Sequence, residues 1–160
     1  MANLCNFQMM VKGSKEGIDK FYDALTQENH ECWMGRGAEA DIYYEDGVAE
    51  IDGYCKWSIQ SALIDNATSM EVQRTTGNGM WGGIEGVKKF LTLFEACERF
   101  HVNMEVFSFE PGCCFSEHYK YENGEILDEC CDYFETWNEE TEDYDCEGGF
   151  TVKFDLADVA

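Results

Sequence analysis

Apolar residues recur along this chain with two periods, and the switches between them mark out its elements. Leu4, Phe7, Met9, Met10 and Val11 make a short apolar run that stops at Gly13, which predicts a strand over Asn3 to Lys12. Ser14 then offers a helix N-cap. Ile18, Phe21, Tyr22 and Leu25 follow at helical spacing, with Asp19, Lys20 and Asp23 outside the stripe. The pattern fades at Gln27 to His30, and Glu31 to Glu39 reads as a glycine-containing loop. Asp41 to Trp57 predicts two strands joined at Asp46-Gly47, with Gly53 as a bulge in the second. Ser58 to Asp65 reads as a short helix, and Asn66 to Gly83 as an irregular glycine-rich insertion anchored by Trp81.

The longest helical pattern runs from Ile84 to Phe100, with Ile84, Val87, Leu91 and Phe94 as its apolar stripe and Glu85–Lys89 as a favourable i,i+4 pair. His101 to Glu110 alternates as a strand and closes at Pro111-Gly112. Asn123-Gly124 is the strongest hairpin turn in the chain. Its register pairs Glu122 with Glu125, Tyr121 with Ile126, Tyr119 with Asp128, His118 with Glu129 and Glu117 with Cys130. Phe115, Tyr119, Tyr121, Ile126 and Phe134 then form the core side, interrupted by Glu117, Asp128 and Asp132. An acidic loop through Glu147 and a short strand over Phe150 to Leu156 complete the reading. The order β-α-β-β-α-β-β predicts an α+β fold: a ferredoxin-like antiparallel sheet with two helices on one face, extended by an acidic C-terminal hairpin. We expect one domain over residues 1–160, with 66–83 as an insertion and 130–149 as an acidic appendage.

Charge changes this picture. The net charge is −22, from 33 acids and 11 bases, far beyond the magnitude of about 2–8 that suits a small soluble domain. It is also uneven: residues 101–160 hold 17 acids and two bases, and no Lys or Arg occurs between Tyr121 and Val152. Such a surface repels phosphate and anionic lipid, which excludes direct nucleic-acid binding and an anionic membrane as partners, and it favours a basic protein. The N-terminus lacks the pattern of a secretory signal, no apolar stretch reaches 18 residues, and nine cysteines is an odd number. Those features predict reduced thiols and a cytoplasmic protein.

Three segments carry a resemblance. The opening N-L-C-N-F-Q-M-M-V-K-G, the Trp57-Ser58 pair after the second hairpin strand, and E-P-G-C-C-F-S-E-H-Y-K-Y-E-N-G-E over Glu110 to Glu125 resemble the YubB-type ferredoxin-like proteins of plasmids and phages. The likeness is carried by the N-terminal strand and by Phe107 to Glu129. It implies a ferredoxin-like sheet and an origin in a mobile element, and it brings no catalytic residues with it.

Candidate chemistry is sparse. The three histidines, His30, His101 and His118, lie in no nucleophile–base signature, and the glycines from Gly77 to Gly83 match no phosphate-binding motif. Asp143, Asp145 and Glu147 before Gly148-Gly149 resemble a calcium loop but lack the ligand order of an EF-hand. The doublets Cys113-Cys114 and Cys130-Cys131 with His118 make a zinc site conceivable, although ordinary half-buried thiols explain them as well. We therefore expect a non-enzyme with no cofactor and no metal.

The expected binding surface comprises Glu122, Glu125, Asp128, Glu129, Asp132, Glu135, Trp137, Glu139, Glu140, Glu142, Asp143 and Asp145. A second, smaller patch comprises Asp41, Glu45, Asp46, Glu50 and Asp52. Same-face acids on a strand repeat every ~6.6–6.8 Å, a spacing that can imitate a row of phosphates. The expected function is inhibition of a basic, nucleic-acid-binding host nuclease or effector, as an anti-CRISPR protein would achieve. An interaction module with a merely solvating acidic surface and a small metal-dependent hydrolase are the alternatives.

Overall fold

The computed structural model describes residues 3–26, 32–34, 38–65 and 89–158. Its main feature is a seven-stranded antiparallel sheet that curls into a half-barrel. In chain order the strands are β1 (Leu4–Lys12), β2 (Cys32–Trp33), β3 (Glu39–Glu45), β4 (Val48–Lys56), β5 (Lys89–Phe90), β6 (Asn103–Glu110), β7 (Phe115–Glu122), β8 (Glu125–Asn138) and β9 (Asp143–Gly148). The sheet order is β3-β4-β1-β6-β7-β8-β9, while β2 and β5 form a separate two-residue parallel pair. The described α-helices are α1 (Lys15–Thr26) and α2 (Leu93–Phe100), and Gln60–Asp65 forms a π-helical turn.

The ferredoxin-like expectation is overturned by this architecture. β8 runs for 14 residues and β9 for six, so the sheet continues well past anything two short helices could cover. Acids and cysteines obscure a strand here because both of its sides are exposed over most of its length, which removes the apolar alternation that marks a half-buried strand. At the other end of the chain, Phe150 to Leu156 is an extended segment that joins no sheet.

Two further corrections concern local geometry. The helical pattern from Ile84 does not hold through Lys89–Phe90, which are extended; α2 starts at Leu93. Its true start is written in the sequence as Thr92-x-x-Glu95, a capping box in which Glu95 N–H donates to Thr92 Oγ1 and Thr92 N–H to the Glu95 carboxylate. Gly53 makes no bulge, since the pairings Phe7↔Gly53 and Ala40↔Gly53 are continuous. A Cβ there would lie 2.3 Å from the Glu39 carbonyl oxygen, so close approach of β3 is what requires glycine. The insertion over 66–83, Trp81, and residues 84–88 of the expected helix lie outside the described residues.

Other expectations hold. Ser14 Oγ accepts the Gly17 amide at the start of α1, and the hairpin at Asn123-Gly124 has the expected register from Glu122↔Glu125 to Glu117↔Cys130. Asn123 and Gly124 both take positive φ, as a two-residue turn of this kind demands.

One side of the sheet makes the core. Cys5, Phe7, Met9 and Val11 of β1, Ala49 and Ile51 of β4, Met104 and Val106 of β6 and Tyr119 of β7 pack against Ile18, Phe21 and Leu25 of α1, Leu93 and Cys97 of α2, and Leu63 of the π turn. Among the described residues, the other side of the sheet has no helix. Its central strands are crossed instead by residues 150–158.

Candidate functional site

Strand register decides which side chains share this second, open face. Pairing from β3 to β8 lines up Asp41, Asp52, Gln8, Phe107, His118 and Glu129 in one cross-strand row. The next row runs Glu39, Tyr54, Asn6, Phe109, Ser116 and Cys131. Acids thus stand at both ends of the face with aromatic rings and amides between them. Four strand spacings separate β4 from β8, about 19 Å at ~4.8 Å each.

The expected site residues divide accordingly. Glu122, Glu125, Glu129, Glu135 and Trp137 are on the open face, and so are Asp41, Glu45, Glu50 and Asp52 of the smaller patch. The structure therefore brings part of the main surface together with nearly all of the smaller one. Asp46 sits in the turn between β3 and β4. Asp128, Asp132, Asp143 and Asp145 are on the opposite side, beyond the helices. Glu139, Glu140 and Glu142 occupy the turn between β8 and β9. Trp137 and Tyr144 pair across β8 and β9 on the open side, edge to face at 5.1 Å between ring centroids, and both are more than half exposed.

Not all of these acids are free. Glu129 meets Nδ1 of His118 at 3.3 Å, and Glu122 receives Lys120 Nζ at 3.0 Å and the amide of Ala157. The backbone hydrogen bond from Ala157, with Lys120 beside it, holds the Glu122 carboxyl below the usual carboxylate range. By contrast Asp41 and Asp52 face each other directly with no cation paired to either among the described residues. Like charges placed directly opposite oppose folding.

Of the three buried carboxylates, Glu105, Glu110 and Glu117, the first and the last were not foreseen as such. Glu105 is buried on the open face, where it accepts from His118 Nε2 at 2.9 Å and from the Asp155 amide at 2.7 Å. His118 stacks on Phe107 with ring centroids 4.1 Å apart, and Phe150 and Phe154 close over Phe107. Both nitrogens of His118 are thus committed to carboxylates, and it is not available as the ligand of a Cys114/Cys131 zinc site. Glu117 is buried on the core side, where it accepts from the amides of Ile59 and Gln60, from Ser108 Oγ and from Tyr119 OH. The only signal for either was a polar residue at a position whose register faces covered surface.

Residues 150–158 form a strap over the centre of the open face. Lys12 Nζ donates to the Leu156 carbonyl at 2.6 Å, Lys120 Nζ to that of Asp155, and Asn103 Nδ2 to that of Ala157 at 3.2 Å; Leu156 itself is buried. The low Glu122 pKa gives this strap a pH dependence. A depressed folded pKa contributes stability that is present above the unfolded value, ~4.3, and is lost as pH falls through the folded one. Protection of 150–158 against amide hydrogen exchange is therefore expected to fall as the pH drops through the acid range, and Glu122→Gln to lower it already at neutral pH. Equal exchange in wild type and variant at neutral pH would rule out this role for the Glu122 carboxylate.

Beside the strap lies a cleft of about 400 Å³, bordered by Asn6, Gln8, Phe107, Phe109, Ser116 and Phe150. That volume lies within the ~300–1,000 Å³ range of ligand pockets. Phe109 is backed by Tyr133 at 4.4 Å, as Phe107 is by His118, so both rings are held in place. Among the described residues no three His, Cys, Asp or Glu side chains converge as metal ligands, and Asp143, Asp145 and Glu147 alternate along one side of β9. No described helix is long and apolar enough to cross a membrane. No family model, curated protein or solved structure matches the chain.

Proposed function

We propose that the protein is a non-enzymatic binding protein whose open sheet face docks on a basic, nucleic-acid-handling protein. The observation that carries this reading is the pair of acid groups at the two ends of one face, including the directly opposed and unneutralised Asp41 and Asp52. Carboxylates at both rims would occupy Lys/Arg positions that otherwise hold phosphates, and the exposed Trp137–Tyr144 pair would add contact area at one end. Aromatic anchors inside a charged rim are the usual composition of a binding hot spot. The target such a surface fits is a host nuclease or effector, held in the manner of an anti-defence inhibitor.

The test is capture of a partner from host lysate, followed by competition. Duplex DNA and 0.5 M salt are each expected to release the captured protein, because the interface replaces phosphates and is electrostatic. Neutralising Asp41, Asp52, Glu125 and Glu135 together as amides is expected to weaken binding at least tenfold. Neutralising Glu139, Glu140, Glu142, Asp143 and Asp145 should slow association a few-fold, since charges at the tip steer more than they touch. Capture indifferent to salt and DNA, or unaffected by the first set, would point to a surface that only solvates.

A further inference from the structure

We infer that the cleft beside the strap is a pocket for one arginine side chain of the basic partner, an inference that rests on the docking reading above. Its border combines what a guanidinium requires. Asn6 and Gln8 present side-chain amides that have no hydrogen-bond partner among the described residues, so their carbonyl oxygens are available as acceptors. Each amide sits in register between an aromatic ring and a polar residue of β4: Gln8 between Phe107 and Asp52, Asn6 between Phe109 and Tyr54. Asp52 therefore supplies a full negative charge one strand away from the Gln8 amide. Phe107, Phe109 and Phe150 supply apolar wall, and rings of this kind attract a cation over their faces.

The alternatives fit less well. A phosphate or carboxylate would enter a site with no cation on its border and a net protein charge of −22 around it. A lysine ammonium is a compact, strongly hydrated point charge, whereas the planar guanidinium offers five donors spread in one plane and is more weakly hydrated. Two side-chain amides on neighbouring rows suit the planar group. Phe107 and Phe109 are already stacked from behind, so little ordering is needed when the pocket fills. The pocket would then fix register within an interface that charge alone leaves loose.

The intact protein, isotopically labelled, is titrated with N-acetyl-arginine methylamide, with the lysine counterpart, and with N-acetyl-tryptophan amide. The arginine probe is expected to saturate at about millimolar concentration, a strength ordinary for so small a ligand. Its affinity should exceed that of the lysine probe at least fivefold, with shifts concentrated at Asn6, Gln8, Phe107, Phe109 and Phe150. Asn6→Ala with Gln8→Ala, both exposed positions, should remove at least fivefold of that affinity while leaving the rest of the spectrum in place. Equal response to arginine and lysine spread over the acids, failure to saturate, or tighter binding of the tryptophan probe would each overturn the assignment. If the captured partner binds this double variant unchanged yet still needs Asp41, Asp52, Glu125 and Glu135, the pocket is wrong and the docking reading stands. If that charge set is silent, the docking reading itself fails.

Discussion

Glu117→Ala is expected to remove about 3–5 kcal/mol of folding stability, the range for leaving buried partners of a charged group unsatisfied. Glu117 is only 2% exposed, and its two oxygens accept from Ile59 N at 2.8 Å, Gln60 N at 3.0 Å, Ser108 Oγ at 2.8 Å and Tyr119 OH at 2.8 Å. Those four donors belong to three separate parts of the fold: the entry to the π turn, β6 and β7. Alanine would strand the Ile59 amide and Ser108 Oγ in a region closed to water, while Tyr119 OH keeps a second contact with Gln60 Oε1 at 3.2 Å. Domains of this size are stable by only ~5–15 kcal/mol, so the alanine variant stands near the threshold of folding at all. Glu117→Gln keeps the shape and one acceptor oxygen, and is expected to cost roughly 1–3 kcal/mol. Urea denaturation midpoints of the two variants decide the matter. A loss below about 1 kcal/mol in the alanine variant would mean that water replaces the carboxylate and that Glu117 organises nothing.

Glu117 also shows where sequence reading reached its limit. Alternation placed it on the core side of the hairpin, and that placement is right. What alternation could not reveal is that an acid there accepts the free amides of a turn, 57 and 58 residues earlier, that itself carries no motif. The short-range signals were legible because each depends on neighbours in the chain: the Ser14 cap, Asp46-Gly47, Asn123-Gly124 and the hairpin register. Architecture failed where the deciding contacts are distant. The acidic stretch beyond Cys130, as far as Glu147, reads as loop by its composition, yet it forms the greater part of β8 and nearly all of β9. Strand pairing uses backbone groups that every residue carries, and side chains exposed on both faces leave little pattern to read.

The candidate surface was half visible for the same reason. Composition located the two acidic patches, but it treated the hairpin as one surface and the smaller patch as another. Register regroups them. The side-chain period of two puts Glu125, Glu129 and Glu135 on the side of Asp41 and Asp52, and turns Asp128, Asp132, Asp143 and Asp145 away from them. The strap over 150–158 was read as a strand because Phe150, Val152 and Phe154 alternate. The segment lies on the sheet face without pairing to any strand: Phe150, Phe154 and Leu156 are covered there at least in part, whereas Val152 is exposed.

Raising the pH above about 8.5 is expected to unfold this protein progressively, because several of its buried groups can lose a proton only after unfolding. Burial pushes the Cys97 thiol well above its ordinary range. Cys5 and Cys55 face each other across β1 and β4; the hydrogen bond between them leaves Cys5 the more acidic of the pair, while that bond and then burial push Cys55 up. Burial, reinforced by the Glu117 charge, raises the Tyr119 phenol, and burial raises that of Tyr133, whose hydroxyl donates to the Glu110 carbonyl at 2.7 Å. For Cys55, Cys97, Tyr119 and Tyr133 the folded pKa lies above the unfolded one, whereas that of Cys5 lies below it and offsets part of the Cys55 effect. Stability is therefore complete below the unfolded value and declines as pH rises past it, first for the thiols near ~8.5 and then for the phenols near ~10. Each such group costs about 1.4 kcal/mol per pH unit once its unfolded form ionises, so Cys55 and Cys97 together account for roughly 3–4 kcal/mol by pH 10. Thiols exposed in both states largely cancel. Denaturant midpoints under reducing conditions should fall steadily between pH 8 and 10 and more steeply above it. Cys5→Ala, Cys55→Ala and Cys97→Ala combined, referenced to their own midpoint at pH 7.5, should hold level until about pH 10, where the phenols take over. A wild-type midpoint flat to pH 10 would mean that both thiols reach solvent in the folded protein, which the packing of α2 and β4 on β1 forbids.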